Sequence, residues 1–191
     1  MLPITKTRFD LDRFVAECRD ALGEHSPQQA VRAVLARAIA DPTVLIGALG
    51  EPVRSGIQRL YESPQLTILN ILWGPGMTIM PHDHRMWGLI GVYSGREDNI
   101  FWRRIKDEKG GKIEAAGAHA LTTGDCWPLG KDIIHSVTNP IPRLTGAIQI
   151  YGGDFFHTGR SQWDPETLTE QPYDSAAVAR LFENANSSAA G

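Results

Sequence analysis

Between about Gln65 and Tyr151 the chain breaks into short β-rich runs, LTILNILW, TIMPH, GLIGVY, NIFWRRI and GAIQIY. Turns that carry Gly or Pro separate them, among them GPG, SGRED, EKGGK and NPIP. Runs of this length and composition cannot be long helices, and there are too many of them for a single hairpin. The rhythm is that of a sandwich or barrel in which each strand turns one face inward. A mainly β fold is therefore expected, with its barrel core over residues 65–160.

Helical signals flank that core. In FDLDRFVAECRDALG, residues 9–23, Leu11, Phe14, Val15, Cys18 and Leu22 recur at steps of three and four and the run closes on Gly23, as in an amphipathic helix. A second helix is predicted from a capping box in which Ser26 precedes Gln29, with Pro27 at the first helical position. It runs through Val31, Val34, Leu35 and Ile39, and Pro42 stops it. Residues 1–64 thus read as a helical zone packed on the barrel. Residues 161–191 read as an extension: a loop-like stretch after Tyr151, the short helix DSAAVARLFENA and a frayed polar tail. A chain of 191 residues suits one domain with a sizeable core.

Charge narrows the partners. Lys plus Arg number 19 against 22 Asp plus Glu, a net charge of -3, so neither nucleic acid nor an anionic membrane is favoured and a small molecule is the expected partner. No apolar run approaches the length of a membrane span, and MLPITKTRFDLDRF does not read as an export signal, so the expectation is a cytoplasmic protein. Cys18 and Cys126 show no CxxC spacing and read as structural thiols.

Chemistry concentrates in MPHDHRMWGLIGVYSG, residues 80–95. On a strand, His82 and His84 share one face and Asp83 takes the other. If that face is the barrel interior, the imidazoles need hydrogen bonds or a metal. The spacing alone leaves both open. Around the pair stand Gly76, six positions before His82, Pro81, and Gly95 at the turn after the following strand. Some fifty residues on, GDCWPLGKDIIHSVTN supplies Gly124, the Pro128-Leu129-Gly130 turn, His135 and Asn139.

These two stretches resemble the paired motifs of the cupin superfamily. The resemblance implies a cupin double-stranded β-helix, a jelly-roll-like barrel with N-terminal helices and a short C-terminal helix. It also implies a metal held by His82, His84 and His135. The family's glutamate ligand would fall at position 88 or 89, where this chain has Gly88 and Leu89, and Glu97 beyond the turn reads as a solvated charge. In the second motif the Pro-Gly turn comes two residues early.

Three histidines without a carboxylate resemble the cysteine dioxygenase branch of the cupins, which implies Fe(II) with an anionic thiolate and O2 as its ligands; Zn or Ni in the isolated protein is the other implied occupancy. In that branch a Trp-Gly pair, here Trp73-Gly74, leads into the histidines. An active-site tyrosine, here Tyr151 in AIQIYGGDFF, hydrogen-bonds substrate or oxygen. The branch's carboxylate-binding arginine matches Arg59, with Arg54 as the second candidate. Where the branch has a histidine and a serine before the tyrosine, this chain has Gln149 and Ala147. Gln149 can still hydrogen-bond at the substrate but cannot titrate. Neither Gly88, Leu89 nor Cys126 can supply the branch's thioether. His157 is a loop histidine that could add an acid or base at the mouth, and His25 and His119 receive no role. The chain is also similar, over residues 54–160, to bacterial cupins known as predicted metal-dependent enzymes related to cysteine dioxygenase.

The resemblance thus implies an Fe(II) thiol dioxygenase that oxidises a small thiol carboxylate to its sulfinate, with small-molecule substrate and O2 as partners. Carbon-carbon cleavage of a β-diketone and a non-catalytic metal sensor or storage protein are the alternatives. A homodimer paired through sheet edges is compatible with all three.

Overall fold

The computed structural model describes residues 9–106 and 110–188, so part of the EKGGK turn and of the polar tail lie outside the described residues. Three helices precede the sheets. The first, α1 (Leu11–Ala21), is capped by Asp10, whose side chain accepts from the Arg13 backbone N–H. The second, α2 (Pro27–Ile39), starts at Pro27 as expected, but the Ser26 side chain makes no capping bond. Pro42 does end α2, and it also opens α3 (Pro42–Leu49), for which Asp41 accepts from the N–H groups of Thr43 and Val44. Reading Pro42 only as a stop overlooked its fitness for a first turn.

Eleven strands are described: β1 (Gly56–Glu62), β2 (Thr67–Trp73), β3 (Thr78–Asp83), β4 (Gly88–Ser94), β5 (Arg96–Arg104), β6 (Ile113–Thr122), β7 (Cys126–Leu129), β8 (Ile134–Thr138), β9 (Thr145–Tyr151), β10 (Ser161–Trp163) and β11 (Glu170–Pro172), followed by α4 (Ser175–Ser188). β1 falls inside the zone expected to be helical. It is a half-exposed edge strand with a register shift between Arg59 and Tyr61, so it shows no clean two-residue alternation. The stretch read as a loop after Tyr151 contributes β10 and β11, where Gln162 pairs with His82.

The strands form two antiparallel sheets, ordered β1-β2-β9-β4-β7 and β11-β10-β3-β8-β5-β6. Strands from the second half of the barrel sit between strands from the first: β9 between β2 and β4, and β8 between β3 and β5. This interleaving brings the two histidine-bearing stretches side by side.

The five-stranded sheet is covered on both faces. Ile68, Leu89, Tyr93, Ile148 and Ile150 pack on Phe14, Cys18, Val31, Leu35, Ile39 and Leu45 of the helices. Leu69, Ile71, Trp73 and Tyr151 point the other way and meet Ile79, Val137, Phe155 and, from α4, Val178 and Phe182. Alternation along β9 therefore sends Ile148 and Ile150 to the helices and Ala147, Gln149 and Tyr151 to the interior. No described helix is long and apolar enough to cross a membrane.

Gly95, at the β4–β5 turn, has φ 90, and a Cβ there would run into the Thr145 side chain and come within 3.0 Å of its Cα. Both the left-handed backbone and the contact oppose any side chain. Gly95→Ala is expected to lower unfolding free energy by about 2–4 kcal/mol, measured by denaturant titration. A loss under about 0.5 kcal/mol would contradict the close approach.

Candidate metal centre

His82 and His135 face each other across the β3–β8 pair, and His84 lies one residue past the end of β3. One ring nitrogen from each of the three lies within 4.8 Å of the other two, and all three residues are buried. Asp83 points away, as alternation requires, and binds the Ser161 backbone N–H and Arg85.

The outer nitrogens of two of these rings have acceptors. His82 Nδ1 lies 2.9 Å from the Met80 carbonyl oxygen, and His135 Nδ1 lies 2.7 Å from Asn99 Oδ1. A carbonyl or amide oxygen can only accept, so both rings carry their proton on Nδ1 and present Nε2 as a lone pair. The Nε2 atoms of His84 and His135 are 2.9 Å apart, so His84 is the donor between them, with its own Nδ1 3.5 Å from Arg160 Nη1. Burial pulls His82 down to about 4 and holds His84 and His135 well below the usual imidazole range; the neighbouring histidines add to the shift in His84 and His135. Three neutral, convergent imidazoles, two of them oriented by a second hydrogen bond, suit a first-row divalent metal.

Behind His135 runs a buried polar chain that the sequence reading missed. Glu97 was expected to be a solvated charge; it is 0% exposed. Its carboxylate accepts from Trp73 Nε1 at 2.8 Å, Asn99 Nδ2 at 3.1 Å and Gln149 Nε2 at 3.4 Å. The Tyr151 hydroxyl in turn donates to Gln149 Oε1. Burial pushes Glu97 up to about 7, with the bonds from Asn99, Trp73 and Gln149 pulling the other way; burial likewise raises the Tyr151 phenol far above its ordinary value. The strand was read as beginning at Asn99, but β5 begins at Arg96, so Glu97 and Asn99 share the inward face. The Glu-x-Asn spacing was the signal.

Other predicted residues fall as follows. Tyr151 packs beside His84, with ring centroids 4.6 Å apart. Gln149 lies next to it, as above. Arg59 is bound to Glu62 and its guanidinium sits over Phe156, with its side chain 57% exposed; the structure does not bring it to the histidines. Arg54 lines a surface depression with Val53, Gly74 and Asn186. His157 binds Asp154 with its side chain 75% exposed. Asn139 donates to the carbonyls of Trp73, Gly74 and Arg143, so this motif residue is a staple between the end of β8 and the turn after β2. The guanidinium beside the histidines belongs to Arg160, held between the rings of Phe155 and Tyr173 at 4.0 Å from each. Nothing in its loop sequence marked it.

No family model matches the chain. Among solved structures it is similar to an RmlC-like cupin family protein from Methanocaldococcus jannaschii (10% identity, 55% of this chain and 85% of that one, TM-score 0.44). It is also similar to a cupin superfamily protein from Desulfitobacterium hafniense (15% identity, 57% and 88%, TM-score 0.43). A deletion mutant of Bacillus subtilis oxalate decarboxylase matches at 14% identity over 59% of this chain and 29% of that one, with TM-score 0.44. The interleaved antiparallel sheets described above form a double-stranded β-helix, and the three-histidine cluster inside it could hold a metal ion.

Acid acts on this centre with a definite sign. The three imidazoles have lowered values in the fold, so below about 6.5 the unfolded chain binds more protons and stability falls with falling pH. Glu97, raised to about 7, works oppositely between about 4.5 and 7, but it is one group against three. Metal-free protein is expected to lose stability on acidification from pH 6.5 to 5, approaching about 1.4 kcal/mol per pH unit for each imidazole. Denaturant unfolding in chelator at several pH values measures this, and a flat or rising profile would contradict buried neutral histidines.

Proposed function

We propose that the protein is an Fe(II)-dependent thiol dioxygenase of the cysteine dioxygenase type, acting on a small thiol carboxylate. The reaction adds both atoms of O2 to the sulfur of a thiolate, which is oxidised to the sulfinate while O2 is fully reduced; no other reductant is needed. The observation that carries this reading is a set of three neutral imidazoles, with no carboxylate among them, beside an arginine that stands between two aromatic rings. Fe(II) in such a site keeps its full positive charge, which favours a thiolate and O2 as further ligands.

The chain's own residues fit the remaining tasks. His82, His84 and His135 would hold the ion. Ligation through His84 Nε2 requires the ring proton to sit on Nδ1, and an N–H there cannot accept from Arg160. The guanidinium is then left with donors to spare next to the ion, where a planar carboxylate can take them. Phe155 and Tyr173 hold the fork flat and limit its hydration. Arg160 thus takes the anchoring role that the resemblance assigned to Arg59. Tyr151, packed against His84 and Phe155, borders the place where sulfur and oxygen would meet.

Oxygen uptake by iron-loaded protein with cysteine, 3-mercaptopropionate, cysteamine and acetylacetone tests the reading. Uptake with a thiol carboxylate and formation of its sulfinate support it; uptake with acetylacetone alone supports carbon-carbon cleavage, and none with any of the four supports a sensor or storage role. Arg160→Ala is expected to raise KM for the carboxylate thiols about 10–100-fold, the worth of a charged hydrogen bond, with little change for cysteamine. Arg59→Ala should leave both within about twofold, since its guanidinium is an exposed ion-pair partner.

A further inference from the structure

Among the described residues, three hydrogen-bond donors and no acceptor bond to Glu97. Trp73 Nε1 can only donate, so one carboxylate oxygen is committed, and the amides of Asn99 and Gln149 must turn their NH2 groups toward the same carboxylate. Turned the other way, each amide would place an oxygen against an ionised carboxylate in a fully buried place. An acceptor-only group therefore settles two amide orientations that are otherwise ambiguous. Each orientation passes on. Asn99 Oδ1 faces His135 Nδ1 at 2.7 Å, and Gln149 Oε1 takes the proton of the Tyr151 hydroxyl.

We propose that Glu97 is a positioning residue whose carboxylate sets the hydrogen-bond polarity of the whole site: through Asn99 it makes His135 present Nε2 as a lone pair, and through Gln149 it turns the Tyr151 proton inward, leaving the phenol oxygen as an acceptor. The tyrosine then receives a hydrogen bond from a ligand rather than giving one, so the ligand group beside it carries an N–H or O–H. This rests on the metal-centre reading only for the use made of Nε2; the orientations themselves belong to the metal-free protein.

The test is made on metal-free full-length protein at about pH 8, above the value of about 7 to which burial lifts Glu97. Histidine-labelled wild type, read by long-range proton-nitrogen NMR, should show His135 protonated on Nδ1. The Raman tyrosine doublet, isolated by difference from Tyr151→Phe, should show a phenol that donates. Protonation of His135 on Nε2, or a phenol that only accepts, would overturn the proposal without any variant at Glu97 being needed. Glu97→Gln leaves one of the three donors without an acceptor. It should mix the His135 tautomers and weaken Co(II) binding about 10–100-fold, the range seen when a ligand's hydrogen-bond partner is lost. Adding Asn99→Asp to Glu97→Gln places a carboxylate directly against His135 Nδ1 and should recover the tautomer and most of the affinity. Recovery by a displaced charge is not expected of a residue that merely fills space. Co(II) affinity within about twofold of wild type in the single variant, or no recovery in the double, would overturn the proposal. Failure of the wild type to bind Co(II) would instead remove the metal reading, and the two metal-free readouts would still decide the role of Glu97.

Discussion

A buried interior lined with polar side chains is the constraint on which the rest of this structure depends. Glu97, Asn99, His82, His84, His135, Asn139, Gln149 and Tyr151 are all buried, and among the described residues no buried side-chain nitrogen or oxygen lacks a partner. In such a place a hydrogen bond cannot be exchanged for one to water, so each group dictates the state of the next. Donor and acceptor roles propagate from Trp73 through Glu97 to Asn99 and His135 on one side and to Gln149 and Tyr151 on the other. The tautomer that makes His135 fit for a metal is a consequence of that propagation, while that of His82 is set by the Met80 carbonyl.

The burial is a property of the whole fold. Helices α1, α2 and α3 seal the outer face of the five-stranded sheet, and α4 brings Val178 and Phe182 to the apolar cluster that includes Tyr151 and Phe155. With both faces covered, β2, β4 and β9 are buried almost end to end. Their outward residues can all be apolar while their inward residues are free to carry chemistry. Most of the site stands on strands, His82 on β3, His135 on β8, Glu97 and Asn99 on β5, and Gln149 and Tyr151 on β9, while His84 and Arg160 approach it from irregular segments.

What the sequence made legible follows the same division. The three metal-binding histidines could be read because two lie at a two-residue spacing in a β-rich run and the third stands at a recognisable distance from glycine and proline turns. Core strands β2, β4 and β9 could be read because burial on both faces makes them continuously apolar. The edge strand β1 could not, since its residues are half exposed and show neither period. Glu97 was misread by a boundary: with the strand begun at Asn99 instead of Arg96, its carboxylate fell in a turn, and a turn carboxylate is ordinarily solvated. Arg160 was invisible for a different reason. Its position depends on stacking between Phe155 and Tyr173, residues five before and thirteen after it, and no periodicity links an irregular segment to the rings it meets.

Charge closes the argument about what such a site accepts. A divalent ion among three neutral imidazoles keeps both its charges, and Arg160 adds a third. Glu97, ionised above the value of about 7 to which burial lifts it and two hydrogen bonds away through Asn99 and His135, offsets one of them. The balance is two positive charges in a low-dielectric space, where an uncompensated charge is costly. A thiolate that also bears a carboxylate supplies two negative charges at two points, one for the ion and one for the guanidinium. Cysteamine as its thiolate supplies one, at the ion only. If Glu97 were instead neutral the imbalance would grow to three, so on the proposed function the buried carboxylate also brings the site's charge to the value a thiol carboxylate could match.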